Sequence, residues 1–335
     1  MGSSPSSIPL FRPDLTTADA DAINAVSAAP QWIDADCVTQ LEAHCGALWN
    51  RHAIAFVDAE AAMDALKQVL EWPDGAQLGV DALLEPAWRE ALSAHWLRAV
   101  VSDIDANGHT APVSATQATP LTAHLIQHTD GLPAPESAWR ASDCPIEIIS
   151  DVPTPLPGVG RASILLLSMD PGQMLQGGGL CLLLDADSER AAALRAARTE
   201  LPATLACALA RSQWAQVQHL LARRAQTAMA YARLRHRGLF TLPPVPASGR
   251  HWRHFTLAFE STAQRDDFLA FLNRAQIHAA APPGWALAPD EAALPGVNRW
   301  LRHSLRLPIY AALDDAERKR VINRIHRWSE RNDNR

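Results

Sequence analysis

The segment SMDPGQMLQGGGL, residues 168–180, combines polar side chains with three consecutive glycines. Ser168 and Asp170 precede a turn, and the glycines lead into the apolar segment LCLLLDAD at 180–187. In α/β proteins ligands bind at the carboxyl ends of the strands, so this polar loop is a candidate site. It lacks the Lys, the Ser or Thr and the following helix of a P-loop, and its glycines therefore indicate a tight turn.

Two further sets of residues could do chemistry. His124 and His128 have the i, i+4 spacing of a metal-binding pair, but no third ligand accompanies them, so we expect structural histidines and no metal. The segment RHWRH at 250–254 offers arginine and aromatic groups, and we interpret it as part of the fold. The sequence contains neither a nucleophile elbow nor a dinucleotide fingerprint.

The bulk composition limits the class of partner and the compartment. The net charge of −6, from 36 acidic and 30 basic residues, gives no electrostatic argument for nucleic acid or an anionic membrane. The sequence shows no signal peptide and no apolar run of membrane-spanning length. Five scattered cysteines without CxxC spacing are typical of reduced thiols, so a cytoplasmic protein is expected.

Helical and strand-like segments alternate through the first part of the chain. Strands are predicted at 52–57, 98–105, 145–151, 162–168 and 180–187, with helices between several of them. This order is typical of an α/β domain with a largely parallel sheet. A long helical stretch at 201–238 leads to a strand at 253–260 and helices near the end. We therefore predict a large α/β domain at 1–215 and a smaller α+β domain at 216–335.

Several segments, taken in chain order, resemble one family. SIPLFRPDLT resembles its opening IPLSRPDIT, and RAVVSDID resembles its strand RPVFVDVD. RHSLRLPIYAALDDAERKRVINRI resembles its C-terminal LSLPIYPGLTDEE...VI..I. The family is that of the DegT and StrS type sugar aminotransferases, which are fold-type I enzymes that use pyridoxal phosphate (PLP). The resemblance implies their fold and a dimer whose site is built from both chains.

The opening loop resembles the family's SFDPxK...GGGG element, whose lysine forms the Schiff base with PLP. Ser168, Asp170 and Pro171 agree with it, but Gln173 stands at the lysine position. An amide can form neither an aldimine nor the proton shuttle of transamination. The chain has only two lysines, which lie in helical segments and are interpreted as solvated: Lys67 and Lys319.

Other positions of the cofactor pocket also differ from the family. Its phosphate-binding Ser-Gly-Thr corresponds to Asp58, Ala59 and Glu60, whose carboxylates repel a phosphate. Its stacking aromatic ring falls at Glu85, although Trp88 one turn later could supply a ring. The pyridinium partner is retained as Asp151, and the family's substrate-contacting Asn and Arg fall in the largely apolar segment 199–210.

These substitutions predict a degenerate homologue that has kept the fold and lost PLP chemistry, with no cofactor expected. Such a protein would have a binding, scaffolding or regulatory role in sugar-nucleotide or surface-glycan metabolism. It would form a homodimer or a heterodimer with an active paralogue. Its expected ligand is a nucleotide sugar. One alternative is an enzyme that uses pyridoxamine phosphate without a Schiff base, as the family's sugar dehydratases do. The other is a conventional aminotransferase, which needs a lysine on the loop after ASILLLS.

Overall fold

The protein is described from a computed structural model, which covers residues 6–28, 34–106, 108–109, 120–140, 142–170, 172–234, 236, 238–247, 249–282 and 294–332. The predicted turn residue Pro171 lies outside the described residues. Helices within them are α1 Thr17–Ser27, α2 Ala35–Trp49, α3 Ala59–Val69, α4 Pro86–Ala94, α5 Glu136–Arg140, α6 Ser188–Ala197, α7 Thr204–Ala215, α8 Val217–Tyr231, α9 Thr262–Asn273, α10 Pro295–His303 and α11 Asp315–Asn332.

A seven-stranded sheet is formed by β1 His52–Phe56, β2 Gln77–Asp81, β3 Arg98–Ser102, β4 Ala123–Gln127, β5 Pro145–Ile148, β6 Ile164–Ser168 and β7 Cys181–Asp185. Its strand order is β1-β7-β6-β5-β4-β2-β3. Five adjacent strands, β3, β2, β4, β5 and β6, are parallel to one another. β7 runs antiparallel to both of its neighbours, β1 and β6. The prediction of an α/β fold with a mostly parallel sheet is therefore confirmed.

Helices cover both faces of this sheet. On one face α3, α4 and α6 bury an apolar cluster that includes Met63, Leu66 and Trp88. On the other face α2 and α7 bury a second cluster, with Leu41 and Trp214 among its members. The strands read as continuous apolar runs because side chains on both faces are buried.

The predicted helical stretch at 201–238 is two helices, α7 and α8, which meet at Gln216. Trp214 at the end of α7 packs in the cluster on the large sheet, whereas Tyr231 at the end of α8 packs in a third, separate cluster. Val217 and Leu220 at the start of α8 still belong to the cluster on the large sheet, so α8 contributes to both cores.

The remaining strands are β8 Phe255–Ala258 and β9 Ser304–Leu307, which pair antiparallel. They pack with α8, α9 and α11 around the third cluster, whose aromatic members include Phe268 and Trp328, with ring centroids 4.8 Å apart. Ile8 near the start of the chain bridges to Ile277 and joins this cluster. The boundary at 215 and 216 stays a prediction.

No helix in the described ranges has both the length and the apolar character needed to cross a membrane.

Candidate functional site

The carboxyl ends of the parallel strands β2, β4, β5 and β6 open onto one small cavity of about 110 Å³. This position is where ligands bind in open α/β sheets. The lining residues come from the loops after these strands and from the second lobe: Leu83, Glu85, Pro86, Gln127, Thr129, Asp130, Asp151, Gln173, Arg253, His254, Pro282 and Arg306. We call this space the strand-end cavity. Three of the predicted site residues, Glu85, Asp151 and Gln173, lie on it together.

Glu85 precedes α4, and a hydrogen bond from its own backbone N–H fixes its position. Its N–H donates to the side chain of Gln127 at 3.0 Å, and the amide of Gln127 donates to the carbonyl of Leu83 at 3.2 Å. The Glu85 carboxyl group is buried, and neither of its oxygens makes a hydrogen bond to the described residues, although the nearby Ser150 hydroxyl favours the charged form. Burial, together with the negative charge of Asp151, raises the pKa of Glu85 to about 8. Glu85 is therefore mostly protonated at neutral pH.

Asp151 lies near the beginning of the loop after β5 and faces a cation. Its Oδ1 lies 3.3 Å from Nη1 of Arg253. Burial raises the pKa of Asp151, and the charge of Arg253 opposes that shift. A carboxylate stands at the position that resembles the family's pyridinium partner, but in this chain it is engaged by an arginine.

Asp130 also lines the strand-end cavity and is held by three side chains. Its carboxylate accepts from His254 Nδ1 at 2.7 Å, from Thr256 Oγ1 at 2.7 Å and from Arg306 Nη2 at 3.1 Å. Although burial works to raise the pKa of Asp130, the charge of Arg306 and the contacts with His254 hold it well below its ordinary value. Burial and the charge of Arg306 lower the pKa of His254 to about 3, so this imidazole is neutral.

These contacts correct one prediction. We interpreted RHWRH at 250–254 as part of the fold, yet Arg253 and His254 line the strand-end cavity and pair with its carboxylates. Sequence reasoning missed them because their partners, Asp130 and Asp151, are more than a hundred residues away along the chain. The available signal was an arginine and a histidine at the start of the strand predicted at 253–260.

The loop 168–180 forms the predicted tight turn. The N–H groups of Gly177 and Gly179 both donate to the Met169 carbonyl, at 3.1 and 3.2 Å, and Gly179 has φ +94°. Ser168 donates its hydroxyl to the Asp170 carboxylate. This closure leaves the side chain of Gln173 buried, and its Oε1 has no partner within the described part of the chain.

The predicted phosphate position lies at the beginning of α3. Asp58 is the N-cap, and its carboxylate accepts from the N–H of Ala61 at 2.8 Å. Ala59 is buried, while the side chain of Glu60 is exposed. The charge of Asp58 contributes to the raised pKa of Asp170, so the two carboxylates lie close enough to interact. An anion at the N-terminus of α3 would therefore be repelled by the carboxylates of Asp58 and Asp170.

Neither lysine lies on the strand-end cavity. Lys67 pairs with Asp74 and donates to the carbonyl of His95 at 3.0 Å, on the outer side of α3. Lys319 is exposed on α11.

The two histidines of the predicted structural pair lie in and just after β4. His128 and Glu147 are fully buried, with Nε2 and Oε1 2.6 Å apart. The N–H of Ala134 donates to His128 Nδ1 at 2.9 Å, which makes Nε2 the donor to Glu147. Glu147 also accepts from three backbone N–H groups of the 160–162 loop. Within the described ranges no group of residues could hold a metal ion.

Several solved structures of sugar aminotransferases share this fold. The Helicobacter pylori aminotransferase PseC, involved in the biosynthesis of pseudoaminic acid, has a TM-score of 0.85 at 14% identity, over 97% of this chain and 100% of that chain. The sugar aminotransferase CalS13 from Micromonospora echinospora has a TM-score of 0.82 at 16% identity, over 96% and 99%. DesV from S. venezuelae, solved with a ketimine intermediate, has a TM-score of 0.80 at 22% identity, over 94% and 95%.

Residues 202–326 match the model of the DegT/DnrJ/EryC1/StrS aminotransferase family, and the predicted resemblance to this family is thus confirmed. No curated protein matches the sequence.

The residues present do not fit PLP. No primary amine lies on the strand-end cavity, since Gln173 is the side chain that the loop after β6 supplies. The end of α3 that would face a phosphate is capped by Asp58. The cavity of about 110 Å³ is well below the roughly 300–1,000 Å³ of ordinary ligand pockets.

Proposed function

We propose that this protein is a catalytically degenerate homologue of the DegT type aminotransferases, and that it binds a ligand or a partner protein instead of catalysing transamination. The observation that carries the proposal is Gln173, which lies on the strand-end cavity at the position that resembles the Schiff-base lysine. An amide has no amine to form the covalent link and no basicity to move the substrate proton.

The acidic surroundings support the same proposal. Glu85, Asp151 and Asp170 all have raised pKa values, mainly because they are buried and partly because they lie near other carboxylates. A dianionic phosphate added to this region would increase the repulsion among these groups. The substitutions at the lysine and phosphate positions therefore act in the same direction.

The second candidate is an enzyme of the sugar aminotransferase or dehydratase type that holds PLP or pyridoxamine phosphate without a covalent link. The observation that favours it is Asp151, which lies on the strand-end cavity at the position of the pyridinium partner. Against it stand the ion pair that Asp151 makes with Arg253 and the carboxylates near the end of α3.

We further propose a cytoplasmic dimer in sugar-nucleotide or surface-glycan metabolism. In this proposal the degenerate chain pairs with itself or with an active paralogue, and a nucleotide sugar is the ligand to test first. The support is the fold shared with sugar aminotransferases and the five cysteines, all of which are free thiols in the structure.

The test is addition of PLP to the purified protein. The wild type should show no aldimine absorbance and no adduct after borohydride reduction, whereas an active family member should show both. A wild-type aldimine would refute the proposal, and bound pyridoxamine phosphate seen by native mass spectrometry would establish the second candidate.

Two variants separate the causes of the loss. Gln173→Lys alone restores the amine and should form little aldimine, because the carboxylates near α3 still oppose the phosphate. Gln173→Lys combined with Asp58→Ser, Ala59→Gly and Glu60→Thr should form more. An equal yield from the two variants would show that the α3 residues do not oppose the phosphate.

A further inference from the structure

Three side chains of the strand-end cavity carry acceptor atoms without a hydrogen-bond partner in the described chain. They are both carboxyl oxygens of Glu85, Oγ1 of Thr129 and Oε1 of Gln173. These residues are only 8%, 4% and 5% exposed, so solvent at the surface does not satisfy them. Burying a polar group without a partner destabilises the fold, and a ligand that pairs with the group can recover that cost.

The unpaired groups are predominantly acceptors. An ionised carboxylate and an amide oxygen can only accept, and a hydroxyl can do so. Arg306 Nε is an unpaired donor on the same cavity, but its guanidinium already binds Asp130. Arg253 is likewise engaged by Asp151. A ligand that satisfies the free groups must therefore be rich in donors.

The charges around these acceptors favour a cation. Asp151 and Asp170 both act to raise the pKa of Glu85, which means that the region already disfavours a further negative charge. Arg253 offsets only part of this effect. A positive ligand would relieve the repulsion and stabilise the ionised carboxyl group.

We propose that the strand-end cavity binds a primary ammonium group, with the Glu85 carboxylate, Gln173 Oε1 and Thr129 Oγ1 as its acceptors. An ammonium group has three donors and no acceptor, which matches this set. The cavity volume of about 110 Å³ equals that of only a few water molecules, at about 30 Å³ each. The cavity therefore admits the amine and one or two carbon atoms. The inference rests on the proposed function, since a covalently bound cofactor would occupy the same position.

Binding should be coupled to the release of a proton. Without a ligand Glu85 is mostly protonated at pH 7, and it must ionise to accept from the ammonium group. The groups that act on it are Asp151, Arg253, Asp170 and Ser150. With a pKa of about 8, the apparent affinity should increase roughly 50-fold between pH 6 and pH 8 and little above pH 9.

The experiment is a thermal-shift titration of the full chain with methylammonium chloride at constant ionic strength. We expect a saturable increase in Tm that potassium and tetramethylammonium chlorides do not produce, with the stated pH dependence. No saturable increase would refute the inference, and an equal increase with potassium would show a general cation site and refute it too.

Glu85→Gln should weaken methylammonium binding by roughly 10–100-fold and remove the pH dependence. The matched control is Glu189→Gln, at an exposed position on α6, which should bind like the wild type. Unchanged binding by Glu85→Gln, when circular dichroism shows it folded, would also refute the inference.

The PLP test is independent of this one. A wild-type aldimine would refute the degenerate function whether or not methylammonium binds. Absence of both the aldimine and methylammonium binding would refute the ammonium site alone.

Discussion

Asp130 and Glu85 are buried carboxyl groups that line the same cavity, and their protonation states are opposite. Asp130 accepts from three side chains and its pKa lies well below the ordinary value. The Glu85 carboxyl oxygens make no hydrogen bond within the described residues, and burial raises the pKa of Glu85 to about 8 although the Ser150 hydroxyl opposes the shift. Burial is similar at the two positions, so the partners decide the protonation state. The comparison teaches that the contacts of Asp130 stabilise the fold, whereas the Glu85 carboxyl group is available to a ligand.

The largest effect is expected from Asp130→Ala. It leaves Arg306, His254 and Thr256 without their common acceptor, and removing one partner of a buried ion pair costs about 3–5 kcal/mol. Urea unfolding at pH 7 measures the change in the free energy of unfolding. The control is Asp266→Ala, which breaks the more exposed pair with Arg265 and should cost about 1 kcal/mol or less. A loss for Asp130→Ala no larger than that of the control would show that the Asp130 network is not structural.

Glu85→Gln should stabilise the protein at high pH. Because the folded-state pKa is raised, the contribution of Glu85 to stability is present below about pH 4.5 and is lost as the pH rises through about 8. Glutamine does not titrate, so at pH 9 the variant should be more stable than the wild type by about 3–5 kcal/mol. At pH 5 the two should differ by less than about 1 kcal/mol. Urea unfolding at both pH values is the measurement, and a wild type that is no less stable than the variant at pH 9 would contradict the raised pKa.

The acid side of the profile tests Asp130 in the same way. Its folded-state pKa is lowered, so its contribution is present above about pH 4 and is lost as the pH falls further. Asp130→Asn should therefore show a smaller loss of stability than the wild type between pH 5 and pH 3. Parallel acid profiles for the two proteins would show that Asp130 does not carry that loss.

The smallest effect is expected from Thr129→Val, which removes an unpaired buried hydroxyl with almost no change in shape. The free energy of unfolding should change by less than about 1 kcal/mol, with stabilisation the favoured direction, because no hydrogen bond is lost. Thermal unfolding measures it. A loss above about 2 kcal/mol would reveal a partner for this hydroxyl and would weaken the contrast between the paired Asp130 and the unpaired groups of the cavity.

Much of the fold followed from local patterns. The strand at 52–56 and the strands that flank the 168–180 loop lie within a few residues of their predicted bounds. Apolar periodicity and capping act over a few residues and can be read from one segment at a time. The helical stretch predicted at 201–238 is found as α7 and α8, which are separated at Gln216.

The site was predictable in part. The resemblance identified Glu85, Asp151 and Gln173, and the structure brings all three to one cavity. It did not identify Arg253, His254 or Arg306, which come from the second lobe. Their sequence neighbours carry no sign of the carboxylates that they bind.

The sequence by itself determined which functional groups this protein owns. A chain whose only lysines are Lys67 and Lys319 has no amine on the loop after β6, whatever its fold. The tertiary structure alone decided which of the remaining groups meet and how they are charged. Arg306 reaches Asp130 and Arg253 reaches Asp151, while the Glu85 carboxyl group makes no hydrogen bond within the described residues. Covalent chemistry depends on residue type, whereas ionisation and pairing depend on distance and burial, which exist only after the chain has folded.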